Sequence, residues 1–260
     1  MTGTTSQILV DKVADWLMTQ ALAETDLETI VRGCCERMAA TGLPIARANL
    51  SFAILHPLYR AMGFTWRRGS GLEIEGYRHV DTEIEDRYLH SPFFHMTNNA
   101  LDYMRRRIDA DSAGEFPIFG DLHEHGITDY LAFRSMFSPE SDRGMIGSWS
   151  TDREGGFHDS EIAALLSIQS KLAVACKMAV QSVLANNMMS TYLGSDAGNR
   201  VLSGQIRRGE GETIRAAIVM GDIRGSSMHA EQLGRQAYID LLDDFCVNTA
   251  DAFADHGGQI

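Results

Sequence analysis

The chain has 260 residues, 44% hydrophobic and 22% charged, which suits one large or two modest globular domains with a sizeable core. Its formal net charge of −12 excludes a general nucleic-acid surface, which needs a basic stripe, but not a single nucleotide whose phosphates a metal neutralises. No signal peptide and no apolar run near about eighteen residues stand out, so the chain reads as cytoplasmic, with no membrane partner. Cys34, Cys35, Cys176 and Cys246 show no metal-ligand spacing, and the adjacent pair reads as small buried hydrophobes on a helix.

Residues 5–40 read as two helices. Ile8, Val10, Val13, Trp16 and Leu17 recur at helical spacing, with a break at Thr25 and Asp26. Asp26 serves as N-cap of the second helix, whose apolar stripe is Leu27, Ile30, Val31, Cys34 and Met38. Gly42 and Pro44 end it. From Ala46 the text turns strand-like: ARANLSFAILHPLY, RAMGFTWRRG and LEIEGYRHV, parted at Pro57 and at Gly69 to Gly71, predict an antiparallel meander. Ser91 followed by Pro92 starts a helix with proline at its first position. A short strand is expected over 104–108 and a short helix over 121–126, ended by Gly126. Two strands follow, 128–137 and 145–151, with a turn at 138–144. His123 and His125, beside Asp121 and Glu124, invite a metal reading. Positions two apart do not share a helix face, so a solvated surface is favoured.

Asp159 opens the longest helix, running to about Thr191. Leu165, Leu172 and Ala179 keep a seven-residue spacing, with Ile168 and Ala175 between them. That spacing suits a two-helix seam and equally a helix packed on its own domain. The later turns, with Asn186 and Asn187, suit a partner helix. Two helices, three strands, a mixed segment, two strands and a long exit helix make the layout of a GAF-like domain. DLHEHGITDYLAF, SWSTDREGGFHDSEIAALL and LPIARANLSFAILHPLYRAMGFTWRRG resemble GAF-like sensor regions that precede class III cyclase domains. The resemblance implies a small-molecule or protein signal without naming it. No cysteine is placed to carry a covalently held pigment. From Tyr192 to Glu212, glycines and charges mark a turn-rich linker, either a joint that passes a signal or a passive tether.

The stretch Thr213 to Ser227, TIRAAIVMGDIRGSS, reads as a buried strand from Ile214 to Ile223, a glycine turn and a helix. Asp222 stands at the strand end, where burying its charge costs several kcal/mol unless it is paired. Gly225 frees the backbone to turn, and Ser226 and Ser227 can cap the helix. A carboxylate beside such a turn can hold a divalent cation next to a phosphate bound by backbone N–H groups. On spacing alone, the plainer reading stands ahead: Asp222 ends a strand and accepts hydrogen bonds from its own turn.

The wider text, RVLSGQIRRGEGETIRAAIVMGDIRGSS, resembles the opening of the catalytic domain of class III nucleotidyl cyclases. Asp222-Ile223-Arg224-Gly225 matches the family pattern, and so does Ala254-Asp255-His256-Gly257-Gly258 at the far end; Ser226-Ser227 replaces Phe-Thr. The resemblance implies an α+β chain in three parts: a GAF-like sensor domain over 1–185, a signalling helix end and linker over 186–212, and the first β-α part of a ferredoxin-like catalytic domain over 213–260. It implies an adenylate cyclase that turns ATP into cyclic AMP and diphosphate at a homodimer interface, the exit helix being the dimer contact. Asp222 and the Ile223 carbonyl would bind Mg²⁺ or Mn²⁺, and backbone N–H groups at Gly225, Ser226 and Ser227 would hold the phosphates. The alternative is a non-enzymatic GAF-type sensor or dimerisation module. The family's second metal aspartate does not occur before Ile260, so the sequence reads as a cyclase fragment, inactive alone. The choice between adenine and guanine is not legible.

Overall fold

The structure, a computed structural model, describes residues 7–23, 25–54, 59–78, 82–137, 144–207, 209, 213 and 215–258. It divides into two units, Met1–Leu184 and Ala185–Ile260. The first begins with helices α1 (Gln7–Leu22) and α2 (Leu27–Ala40). Asp26 caps α2 as expected, its carboxylate accepting from the Thr29 backbone N–H at 2.8 Å and the Thr29 hydroxyl at 2.6 Å. Strands β1 (Arg47–Ala53), β2 (Tyr59–Arg67) and β3 (Gly71–Arg78) form the expected meander. Helices α3 (Thr82–Leu89) and α4 (Pro92–Asn98) follow, and the Ser91 hydroxyl accepts from the Phe94 N–H at the start of α4. Then come β4 (Tyr103–Arg107), α5 (Pro117–Glu124), β5 (Asp129–Met136) and β6 (Gly144–Thr151). The expected break at Pro57 and turn residues 138–143 lie outside the described residues.

All neighbouring strands run antiparallel in the order β3-β2-β1-β6-β5-β4. Side chains alternate across such a sheet. Ala48, Leu50 and Phe52 of β1 face one side, with Phe64, Leu131, Phe133 and Trp149 from neighbouring strands. The helices α1, α2 and α6 (Asp159–Leu193) complete this main core with Val13, Leu17, Ile30, Cys34, Leu165 and Leu172. A smaller cluster lies on the other face under α4 and α5, built from Met96, Met104, Phe119, Leu122, Tyr130 and Ala132. An α+β unit with an antiparallel sheet and a long helix after it is consistent with the expected GAF-like layout.

The heptad-spaced residues of α6 take the second of their two expected roles. Leu165, Ile168, Leu172, Ala175 and Ala179 are buried in the main core, so this stretch packs on its own domain. A seven-residue apolar repeat is what any helix lying along a core produces. By length and composition α6 could span a bilayer, yet this face is covered by the domain.

In the second unit, the turn-rich linker contains a further helix, α7 (Ser195–Leu202). Gly198 is there for close approach: a Cβ at this position would stand 2.9 Å from the Met189 carbonyl carbon. Arg208, residues 210–212 and Ile214 lie outside the described residues. The expected strand is not formed over 215–223, where Ile218 is 90% and Met220 95% exposed. A strand of apolar residues holds only with partners beside it and cover on its faces, and no other strand is described in this unit. Helices α8 (Ser226–Gln232) and α9 (Arg235–Ala254) end the unit. Gly257 takes the left-handed conformation (φ 71°), and the Gly258 N–H donates to the Phe253 carbonyl at 2.7 Å, closing the expected His-Gly-Gly turn.

Candidate functional site

The polar face of the first unit's sheet carries the best-formed site. In β1 the residues alternating with the core set are Arg47, Asn49 and Ser51. Register places Ser148 beside Asn49 and Ile146 beside Ser51 on β6, then Tyr130 and Arg134 on β5. The small apolar cluster fills this face only over β4 and β5. Over β1, β2 and β6 it leaves a cavity of about 850 Å³, roofed by Tyr88, Pro92, Phe93 and Ile118 from the helical side. Its size falls in the range of small-molecule sites, about 300–1,000 Å³.

The floor is polar and partly desolvated. Tyr130 is 2% exposed, and burial pushes its hydroxyl up to about 12 against a hydrogen bond with Ser148 and the Arg47 charge. Arg47 is half-buried, and desolvation, with the charge of Arg67, holds its guanidinium below its ordinary value despite Tyr130, Tyr77 and Glu73. Tyr77 closes the β3 side. Burial raises its pKa, and the Glu75 charge adds to this while the hydroxyl bonds Glu75 and Ser51. The phenol can lie there because residue 63 is glycine: a Cβ at Gly63 would come within 2.4 Å of the Tyr77 oxygen. Asn49 is held by its own bond to Thr65 Oγ1 at 2.9 Å.

Strand β5 is joined to α6 and to the loop before it at two places. Gln169 Nε2 donates to the Arg134 carbonyl at 2.7 Å and to Ser135 Oγ at 2.8 Å. At the start of β5, buried Asp129 accepts from Arg105 Nη2 at 2.7 Å and from the Phe157 N–H in the loop before α6 at 2.9 Å.

The residues expected to carry cyclase chemistry stand in the second unit. Asp222 is exposed, and the Ile223 carbonyl accepts from the Ser226 N–H at 3.1 Å within a turn. Gly225 is left-handed (φ 75°, ψ 24°), a conformation that glycine adopts freely. It takes the N-cap position itself. Ser226 and Ser227 are therefore the first helical residues and not the caps. Among the described residues no group of three or more His, Cys, Asp or Glu side chains could hold a metal ion. His125 is engaged locally, its Nδ1 lying 2.6 Å from the Asp121 carbonyl oxygen. Cys34, Cys35 and Cys176 are buried and away from the cavity lining, and Cys246 is exposed.

The cavity residues were missed in the sequence. Their signal is the polar half of ARANLSFA, with Arg, Asn and Ser on the face opposite Ala48, Leu50 and Phe52.

No protein-family model matches the chain, and no curated protein does. Among solved structures, it is similar to the GAF domain of a two-component sensor histidine kinase from Bacillus halodurans (15% identity, TM-score 0.42, 58% of this chain and 94% of that one). It is also similar to the phycoerythrobilin-bound GAF domain of a cyanobacterial phytochrome (12% identity, TM-score 0.45, 66% and 97%). A third likeness is to the LBD domain of VqsR from Pseudomonas aeruginosa (15% identity, TM-score 0.40, 64% and 96%).

Proposed function

We propose that the first unit is a GAF-like sensor domain that binds a small molecule in the cavity on the polar face of its sheet, with α6 as the output element. The observation that carries this reading is the unequal filling of the two faces. One is packed under α1, α2 and α6, and the other keeps about 850 Å³ open over partly desolvated polar groups. The Gln169–Arg134 bond links the lining of the cavity to α6. The neutral dye N-phenyl-1-naphthylamine tests it. Its fluorescence should rise with the wild-type chain and fall in Ala53→Trp, because Ala53 lines the cavity and an indole there takes up part of it. Dye binding that ignores this change would overturn the reading.

A second reading keeps the second unit as the opening part of a nucleotidyl cyclase catalytic domain, with ATP as substrate, Mg²⁺ or Mn²⁺ at Asp222 and Ile223, and a homodimer as the active form. The left-handed Gly225 ahead of α8 favours it. Asp222→Ala in the intact protein is its test. Cyclic-nucleotide formation that survives the change, or an intact protein that forms none, removes it.

A further inference from the structure

A cavity floor of serines and tyrosines would accept many ligands, but this one also holds arginines that the protein partners poorly. Arg47 opens β1, an inner strand of the sheet. Among the described residues it has neither a hydrogen bond nor a carboxylate within ion-pair distance. Arg134, with a side chain 19% exposed, has its Nε buried and without a hydrogen-bond partner. Its nearest carboxylate oxygen, on the exposed Asp102, stands 4.0 Å away. Arg60 and Arg87 also line the cavity, against two acids, Asp86 and Asp121, and Asp86 is within 3.4 Å of His90. Among the described residues, four arginines against two aspartates give the lining a positive balance inside a chain of net charge −12.

A partly desolvated guanidinium with no partner is unfavourable in the empty domain. A bound oxyanion reverses that, because the planar fork of arginine matches carboxylate and phosphoryl oxygens. The opposite wall offers Pro92, Phe93 and Ile118, an apolar surface for a flat body.

We infer that the cavity takes an organic anion, its carboxylate or phosphoryl oxygens received by the Arg47 guanidinium, with Arg134 as a further positive charge in the lining, and its apolar body against Pro92, Phe93 and Ile118. The inference rests on the sensor reading and narrows it to a ligand class. Both arginines line the same cavity, and among the described residues no carboxylate stands within ion-pair distance of Arg47.

The test uses two dyes with one ring system, the sulfonate 8-anilinonaphthalene-1-sulfonate and neutral N-phenyl-1-naphthylamine, on the full chain. The anionic dye should bind more tightly. Arg47→Met should weaken it about tenfold or more while changing the neutral dye less than about twofold. Arg134→Gln should act in the same direction. Circular dichroism and melting of each variant establish that it is folded. 1-Naphthoate and 1-naphthyl phosphate, as competitors, distinguish the two head groups, and displacement by either but not by 1-naphthol supports the inference. If Ala53→Trp weakens both dyes but Arg47→Met weakens neither, the sensor cavity stands and the anion inference falls. If Ala53→Trp leaves the binding of both dyes unchanged, the cavity reading falls and the inference with it.

Discussion

The backbone N–H of Phe157 donates to Asp129 Oδ2 at 2.9 Å, fastening the loop ahead of α6 to the first residue of β5. The same fully buried carboxylate accepts from Arg105 Nε and Nη2 and from the Tyr130 N–H, and Arg107 Nη1 stands 3.4 Å away. Arg105 Nη2 also donates to the Phe157 carbonyl at 2.6 Å. The loop passes so close that a Cβ at Gly156 (φ 65°) would lie 2.4 Å from Oδ2.

Asp129→Ala removes the centre of this arrangement. Breaking a buried pair from one side costs about 3–5 kcal/mol. Arg105 is 27% exposed and can regain water, so the loss should fall near the lower figure, about 3 kcal/mol. Urea unfolding of the first unit's transition measures it. A loss below about 1 kcal/mol would place the junction's strength elsewhere.

The pH dependence of stability should have a limb assigned to Glu161. Burial pushes this carboxyl up, but hydrogen bonds from Arg153 and the His158 N–H, with the charges of both residues, more than offset it and leave it below its ordinary value. A carboxyl lowered on folding stabilises above its unfolded pKa, and the contribution is lost as pH falls through the folded value. Asp26, lowered by the Thr29 hydroxyl and N–H, acts with the same sign. Melting temperature should therefore drop on acidification below the ordinary carboxylate range. Glu161→Gln should start lower at neutral pH and show a shallower drop. Parallel curves for the two proteins would contradict the assignment.

Thiol chemistry should divide the four cysteines one against three. Burial pushes Cys34 up to about 12 against the charge of Arg37, and raises Cys35 and Cys176 well above their ordinary values, so all three stay protonated as well as covered. Cys246 is exposed. A thiol-disulfide reagent at pH 8 should count one fast thiol in the native chain and four after denaturation. Two or more fast native thiols would mean that the α2–α6 contact opens.

Amide exchange over 215–223 should be complete before β1 or β6 has begun to exchange. This segment has no strand partner, and Met220 is 95% exposed, whereas β1 is bonded on both edges. Protection over 215–223 equal to that of β1 would show that the segment gains a covering surface in solution.

Local chemistry was the legible part of the fold. Asp26 and Ser91 cap the helices their neighbours announce, and the alternation in ARANLSFA sets β1 the right way round. Such features depend on residues a few positions apart. The role of Leu172 was not legible, because the spacing that packs a helix against a sheet is the spacing that packs it against a second helix. Nor was the state of Ile218 and Met220. An apolar run shows that cover is needed, not that it is present. The cavity was hidden for a third reason: Arg47 and Arg134 line one cavity only once β6 lies between β1 and β5, an order that no local pattern states.

The ring of Tyr77 rests on bare backbone at Gly63, which ties two positions on neighbouring strands into one inherited choice. A methyl at residue 63 would evict the phenol and break its bonds to Ser51 and Glu75, whereas losing the phenol leaves the glycine without a steric reason to persist. Descendants of this chain that keep the tyrosine should keep the glycine, and those that lose one should drift at the other. The outline of the cavity along β3 would then change in steps, by paired replacements, and not by gradual resizing of one side chain.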